Sequence, residues 1–354
     1  MRALRLNSIS IVLSANNSIK SFNLNHFKTI MVLLLLSGTG VGYAQTNEDS
    51  IKKVTKKIIT DKFPTARFFD LQYEHFSESD YDSKLYGEDF QKGIITEQTR
   101  LKAAFNIPIL KKQKWTLSTS LRYKLESFDI ANVKNVSQQL PSLAVTKSED
   151  YHYFSGSMNF TYYSQLFNKT AIYNGSIIGD GSDEGFERLT GFVGASLVLQ
   201  RTENTTMTIG LIALIDQTAQ LPALPTFTYE HRFKKSPWTI DFILPRYLYF
   251  RRPLLKNGRL SVGSIFEGES FYTYNNQPGF ANTYSYTRNE IKSGIVYEYH
   301  VSKDFITTFR AGVANVFNGR LTEKGKRQSD NILGNSQQAS GYFSVGVSYN
   351  PFRN

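Results

Sequence analysis

The chain has no cysteine among its 354 residues, and it has no apolar run long enough to cross a bilayer as a helix. The first absence excludes disulfides, cysteine-based metal sites, cysteine nucleophiles and a lipid anchor on cysteine. The second excludes a helical membrane protein, because a spanning helix needs roughly 20 apolar residues. The most sustained apolar run covers residues 30–36 and extends loosely to position 41.

That apolar run has the features of a secretory signal. The preceding residues include Lys20 and Lys28 but no acidic residue, and Gly42-Tyr43-Ala44 places small residues at −3 and −1. We therefore expect residues 1–44 to be a signal peptide cleaved after Ala44. Residues 45–63 then form a polar periplasmic leader with one or two helical turns. Its lysine pairs favour a solvated segment over one that binds anionic partners.

The remaining composition excludes further classes of protein. The formal net charge is +11 and the pI about 9.5, but basic residues are spread along the chain, so nucleic acid is not an expected partner. No phosphate-binding glycine loop or cofactor fingerprint is present, so no cofactor is expected. Aromatic residues make up 14% of the chain, mostly Tyr and Phe.

The segment 115–126 illustrates the alternating pattern that dominates the rest of the chain. Its odd positions are apolar, aromatic or Thr, and its even positions are polar or charged, which is the pattern of a strand with one apolar face. The same alternation returns about a dozen times, in segments that often exceed the length of a soluble strand. The strand candidates are 67–76, 95–109, 114–128, 150–165, 169–180, 187–202, 205–217, 225–234, 237–252, 258–274, 284–300, 304–318 and 339–352.

Long alternating strands after an export signal predict a single antiparallel transmembrane β-barrel over residues 64–354, in the outer membrane of a Gram-negative bacterium. A soluble β-sandwich or jelly roll would need neither such long strands nor the aromatic load. Phe352, near the C-terminus, is similar to the terminal aromatic residue of outer-membrane barrels. Outer-membrane lipid and the barrel-assembly machinery are the expected partners.

The connectors fix the number of strands. Short connectors alternate with long ones at 77–94, 129–149 and 319–338, and long loops belong on the external side. An even number of strands must then separate 129–149 from 319–338, whereas the candidates place nine there. Pro245 lies within 237–252, and proline cannot donate to a strand ladder. A turn at Leu244-Pro245-Arg246 gives 14 strands; loss of one weak strand, such as 225–234, gives 12. We favour 14.

Three short motifs carry a resemblance to a known family. They are Pro64-Thr65-Ala66-Arg67, Phe105-Asn106-Ile107-Pro108, and Ile243-Leu244-Pro245 after Pro225-Thr226. On these motifs the chain resembles an uncharacterised family of outer-membrane barrels from Bacteroidota-type bacteria. The resemblance covers nearly all of the mature chain. It implies the barrel and its location, and it offers no activity or site residue.

The alternation also assigns side chains to the barrel interior. Eight basic and seven acidic residues should face the lumen, whereas a strongly ion-selective pore would carry one sign. The balanced set leaves a narrow passage and an interior plugged by ion pairs as equal alternatives. The lumen-facing candidates are Arg100, Lys102, Arg122, Lys124, Glu126, Arg188, Glu230, Arg232, Asp241, Glu267, Glu269, Glu290, Lys292, Glu298 and Arg310.

The sequence leaves three functions open. The polar inner face favours passage or uptake of a small solute, and the alternative is a closed barrel that acts as a structural or surface-interaction scaffold. A lipid hydrolase is less favoured, because its only support is two His-x-Ser pairs, His75/Ser77 and His300/Ser302. We expect no enzyme activity and no catalytic or metal-binding residues.

Two acidic groups are expected to serve the structure. Glu267 and Glu269 share one lumen face, where pairing with basic residues is expected ahead of metal binding or acid/base catalysis. The acidic run 179–185 lacks the spacing of a calcium-binding loop and should form an external turn.

Overall fold

A computed structural model describes residues 60–136, 147–276, 278 and 280–351 of the chain. The expected signal peptide, its cleavage site, most of the leader and Phe352 lie outside these residues. Within them, no helix has the length and apolar character needed to cross a membrane. The described chain is almost entirely β-structure, preceded by one helical turn at 60–62 and a 3-10 helix at Pro64–Ala66.

The strands follow one another around a single sheet, and each is antiparallel to its neighbours. Their long runs of Tyr, Phe, Ile, Val and Thr suit extended backbone. The strands are β1 (Phe69–Phe76), β2 (Ser79–Leu85), β3 (Glu88–Lys111), β4 (Trp115–Asn135), β5 (Lys147–Leu166), β6 (Lys169–Ser182), β7 (Gly185–Arg201), β8 (Thr205–Ile215), β9 (Ala223–Arg232), β10 (Thr239–Leu244), β11 (Tyr247–Leu254), β12 (Gly258–Tyr274), β13 (Thr283–His300), β14 (Phe305–Glu323), β15 (Leu333–Gln337) and β16 (Ser340–Tyr349).

The sheet closes on itself. β1 pairs with both β3 and β16, while β2 pairs with both β3 and β15. β1 with β2, and β15 with β16, are therefore the two halves of single wall strands, and the closed wall has 14 strands. The predicted transmembrane barrel is confirmed, with the higher of its two expected strand counts.

The turn at Pro245 produces that count. β10 ends at Leu244, β11 begins at Tyr247, and the two pair as a hairpin across Pro245-Arg246. The interpretation of 237–252 as two strands is therefore confirmed. This hairpin is short, with 6 and 8 residues in its strands, whereas the following β12 has 17. The barrel wall is consequently short at β10 and β11, and β12 extends well beyond it.

The long connectors were predicted wrongly. Residues 77–94 are mostly strand: β2 and β3 meet at the tight turn Tyr86-Gly87, where both φ angles are positive. Similarly, β4 runs to 135 and β14 to 323, and β15 occupies 333–337. In these extensions, cross-strand ion pairs such as Lys92–Asp82 occupy positions that the membrane-crossing segments fill with apolar residues. The extensions therefore resemble loops in sequence. Residues 137–146 lie outside the described chain.

The two faces of the wall differ in chemistry. Outward side chains such as Leu121, Phe154 and Phe309 are 44%, 44% and 47% exposed, as a lipid-facing band requires. On β4, Lys124 and Glu126 point the other way and are buried. The end with the short turns 112–114, 167–168, 202–204, 233–238, 255–257 and 301–304 is called the periplasmic end here, because such barrels have short periplasmic turns.

Candidate functional site

The lumen is the candidate site, and most of the predicted inner residues meet there in ion pairs. At its centre lies a group of charged side chains from β1, β3, β4, β12 and β13, which we call the central network. It contains five acidic and five basic residues. They are Glu74, Arg100, Lys102, Lys124, Glu126, Glu267, Glu269, Arg288, Glu290 and Lys292.

The strand register places these charges at one level. Glu74, Arg100 and Glu126 are directly opposite one another on β1, β3 and β4. Arg100 lies 2.9 Å from Glu74 and also contacts Glu290, at 2.7 Å, from the far side of the lumen. Arg100, Glu74 and Glu126 are fully buried. The central network therefore joins opposite sides of the barrel through side chains that no water reaches.

Each carboxylate of the central network contacts two or three cations. Glu269, for example, receives Lys124 Nζ at 2.8 Å and also contacts Lys102. Glu267 contacts Lys292 at 3.0 Å. Oxygen atoms of Glu267, Glu269 and Glu290 lie within 4.8 Å of one another, a spacing that could hold a cation. Ammonium and guanidinium groups already satisfy them, as the sequence predicted for Glu267 and Glu269.

The second feature of the lumen is formed by the residues that precede β1. Residues 60–67, called the N-terminal segment, precede β1 and lie inside the periplasmic half of the barrel. Lys62 Nζ lies 2.6 Å from Glu230 and 2.8 Å from Asp241. Asp61 contacts Arg259. The last residues of the expected solvated leader are thus bound to the barrel wall.

More contacts hold the N-terminal segment in place. Arg67 is buried and lies 2.6 Å from Glu298, which also accepts a hydrogen bond from Arg259 Nε at 3.0 Å. Phe63 packs on Tyr247, with ring centroids 5.8 Å apart, and the Arg246 guanidinium covers its other side at 4.8 Å. Two groups of paired charges, Lys62/Arg251 with Glu230/Asp241 and Arg67/Arg259 with Asp61/Glu298, surround the segment.

The three motifs of the sequence resemblance meet at this segment. Asn106 Nδ2, from the second motif, donates to the carbonyl oxygens of Thr65 and Arg67, both at 2.7 Å. The third motif forms the hairpin turn beside Phe63, in which the Leu244–Pro245 peptide is cis. Residues far apart in sequence therefore combine to position the start of the barrel within its own lumen.

A third feature divides the external half of the lumen. Beyond Ile265, where its pairing with β11 ends, β12 stays paired with β13 and packs against β5 and β6 on the opposite side of the lumen. Phe271 stacks on Tyr151, with centroids 4.0 Å apart, and Tyr272 stacks on Tyr153 at 6.3 Å. The Tyr272 hydroxyl also donates to Asp180. Because Phe271 and Tyr272 point to opposite faces of β12, the strand forms a partition with a cavity on each side.

The cavities beside this partition differ in character. Phe271 lines a cavity of about 240 Å³ with aromatic walls, whereas Tyr272 lines one of about 540 Å³ that also includes Arg188 and Asp216. A third cavity, of about 760 Å³, lies at the periplasmic mouth and is lined by Asp61 and Lys62. Arg188 pairs with Asp180 at 3.0 Å, so the acidic run 179–185 contributes one lumen side chain and forms the β6–β7 turn.

Three predicted inner residues have no ion pair within the described part of the chain. Arg122 and Arg232 are exposed, and Arg310 is half-buried and donates to Gln72 at 3.2 Å. Arg122 lies on the same face of β4 as the buried Lys124 and Glu126. An exposed side chain on that face means that the lumen holds open space at this level.

The two His-x-Ser pairs have other local roles. Ser77 Oγ accepts a hydrogen bond from the Gly341 amide at 2.9 Å, while the His75 ring lies tilted against Phe343 of the outward face, with ring centroids 5.2 Å apart. Ser302 Oγ accepts the amides of Asp304 and Phe305 in a periplasmic turn. Both serines therefore stabilise backbone where strands begin or end.

Several lumen residues were missed from the sequence. Alternation contained the signal for most of them: Glu74 continues the inner row of Asp70 and Gln72, and Arg288 shares a face with Glu290 and Lys292. The other lumen residues missed from the sequence are Arg67, Asp180, Arg251 and Arg259. Lys62 had no such signal, because its position depends on the N-terminal segment folding back into the barrel.

Solved structures similar to this chain share little sequence identity with it. No family model matches the sequence, and no curated protein matches it. Among solved structures, the Pseudomonas putida toluene transporter TodX is 11% identical with a TM-score of 0.37, over 88% of this chain and 96% of that one. The translocator domain of the Neisseria meningitidis autotransporter NalP is 11% identical with a TM-score of 0.31, over 85% and 96%. An outer membrane channel from Pseudomonas putida F1 is 11% identical with a TM-score of 0.35, over 79% and 94%.

Proposed function

We propose that this protein lies in an outer membrane and passes small solutes through its lumen, with the N-terminal segment as the closure at the periplasmic side. The observation that carries the proposal is the position of Asp61 and Lys62. They lie at the inner limit of a 760 Å³ periplasmic cavity and are held there by ion pairs. A short segment of side chains, not the hydrogen-bonded wall, therefore stands in the way of a solute.

The lumen above this segment has room for passage. Barrels of about 8 strands are filled by side chains, whereas this one has 14. Between β6 and β9 several inner positions are small or hydroxylated and half-buried, among them Thr190, Gly194, Ser196, Thr208 and Thr228, although the same face also carries Phe192 and Ile212. The central network fills the other side. A solute would pass along the β6–β9 side, where the central network does not have to be displaced.

Liposome swelling with small neutral sugars tests the proposal. In the double variant Asp61→Asn/Lys62→Gln, the segment loses its ion pairs with Arg259, Glu230 and Asp241, so we expect faster swelling than in the wild type. The matched control changes an exposed pair on the β2–β3 hairpin, Lys84→Gln/Asp89→Asn. It should behave as the wild type. If neither the wild type nor the double variant admits any solute, passage is excluded.

A closed scaffold is the second candidate, and the buried central network favours it. Cross-lumen pairs such as Arg100–Glu290 brace the wall in the way that a purely structural barrel would need. The same swelling experiment separates the two functions, because a scaffold remains impermeable after the N-terminal segment has been released.

A further inference from the structure

We infer that the aromatic cavity at the external end of the lumen is a binding site for a neutral aromatic compound of one or two rings that carries a hydrogen-bond donor. The inference rests on the proposed function, in that the bound compound would be a solute on its way through the barrel. The site lies between β2–β5 on one side and β12–β15 on the other, directly above the central network.

The walls of the cavity are planar aromatic faces. Phe271 is stacked between Tyr151 and Tyr286, with centroid distances of 4.0 and 4.8 Å, and Phe128 meets Tyr151 edge-on at 6.1 Å. Phe90 adds a further buried ring. Offset and edge-to-face contacts with such rings favour a planar aromatic guest over an aliphatic one of the same size.

The strand geometry builds these walls from inner positions. Two β-bulges, between Lys92 and Ile94 and between Ile95 and Glu97, interrupt the pairing of β3 with β4. They allow both Phe90 and Ile95 to be buried inside, although strict alternation would send one of them outward. This side of the external half of the lumen is thereby lined with apolar side chains, while the level below carries the charges of the central network.

Two charged groups line the cavity, and neither attracts an anion. Glu149 is a buried carboxylate, and Arg288 is already paired, since its Nε donates to Glu290 at 2.8 Å and its Nη2 contacts Glu126. Its guanidinium also lies 5.4 Å from the Phe128 ring and 5.9 Å from the Tyr286 ring. A carboxylate guest would lose its hydration without gaining a free cation, so a neutral guest is favoured.

A buried amide oxygen in the lining favours a guest that donates a hydrogen bond. Asn335 lines the cavity, and its Oδ1 is buried without a hydrogen-bond partner among the residues that the structure describes. A buried acceptor left without a donor costs about 1–3 kcal/mol. A phenolic O–H or indolic N–H within the cavity would satisfy Asn335.

The size of the cavity limits the guest. Its volume is about 240 Å³, whereas an apolar cavity of about 150 Å³ accommodates benzene. One substituted ring or two fused rings therefore fit, and a sugar or a long acyl chain does not match either the size or the apolar walls.

Equilibrium binding to the purified barrel in nanodiscs tests the inference, with 4-methylphenol, toluene and benzoate as probes. We expect 4-methylphenol to bind most tightly and benzoate not to compete with it. Asn335→Leu should weaken 4-methylphenol about fivefold, the value of one neutral hydrogen bond, and leave toluene unchanged. The matched control Asn289→Leu changes the same residue type outside this cavity, on the opposite face of β13 from Arg288. It should leave the affinity for both 4-methylphenol and toluene unchanged.

A second variant guards against loss of the fold. Thr273→Trp fills the cavity from β12 and should abolish saturable binding of 4-methylphenol and toluene, and the signal that remains measures partition into lipid. Equal affinity of 4-methylphenol for the wild type and Thr273→Trp would overturn the inference. Because binding is measured without transport, specific binding in a barrel that fails the swelling assay would reject the proposed function alone.

Discussion

At the residue scale, the central network shows why buried charge persists in this barrel. Glu74 is fully buried and contacts Arg100, Lys102 and Lys292. Removing such a charge from water is expensive, and only several well-placed partners offset the cost. With five carboxylates and five cations the network is neutral, so each member depends on the others. The network is therefore sensitive to any substitution that changes one charge.

Glu74→Gln should expose this dependence. The substitution keeps the size of the side chain but leaves three cations short of one carboxylate, so the free energy of unfolding should fall by about 3 kcal/mol. Urea unfolding of the barrel in lipid vesicles measures it. Asp89→Asn, in an exposed pair with Lys84, serves as the control and should leave stability unchanged, because water solvates both partners. A Glu74→Gln barrel as stable as the wild type would contradict this account.

At the element scale, the sequence predicted the strands of the wall well, but it did not predict which strand ends pack across the lumen. Alternation placed the membrane-crossing segments, and the inability of proline to donate to a ladder placed the β10–β11 turn at Pro245. Alternation reports only that successive side chains point to opposite faces. From the inner Glu267 and Glu269 it would place Tyr272 on the lipid side, whereas the end of β12 packs against β5 and β6 and buries Tyr272. That packing depends on β5 and β6, which no local pattern in β12 reveals.

The β12 partition should control access to the external cavities. Tyr272→Ala removes the stack on Tyr153 and the hydrogen bond to Asp180, so the end of β12 should move more freely. We expect faster liposome swelling when this substitution is added to Asp61→Asn/Lys62→Gln. Tyr299→Ala on the outward face of β13 removes the same side chain from the lipid side and is the control. Identical swelling with Tyr272→Ala and Tyr299→Ala would show that the partition does not limit passage.

At the scale of the whole molecule, the charges that fill the lumen are balanced, and arginines without an ion pair lie beside the open space. The central network and the two charge groups around the N-terminal segment each contain equal numbers of acids and bases. Outside these groups, Arg122 is exposed and Arg246 covers Phe63, and neither has a carboxylate within ion-pair distance among the described residues. The balanced count from sequence could not separate paired charges from unpaired ones, because pairing is decided across strands.

This arrangement predicts weak selectivity for anions once the N-terminal segment has been released. In planar bilayers under a potassium chloride gradient, Asp61→Asn/Lys62→Gln should give a reversal potential with the sign of chloride preference, because unpaired arginines line the open side. Adding Arg122→Glu and Arg246→Glu should reverse that sign. Lys84→Glu with Lys92→Glu introduces the same charge change on the exposed β2–β3 hairpin and should leave the sign as it was. If the lumen and hairpin substitutions shift the potential equally, the net charge of the barrel, not Arg122 and Arg246, sets its ion preference.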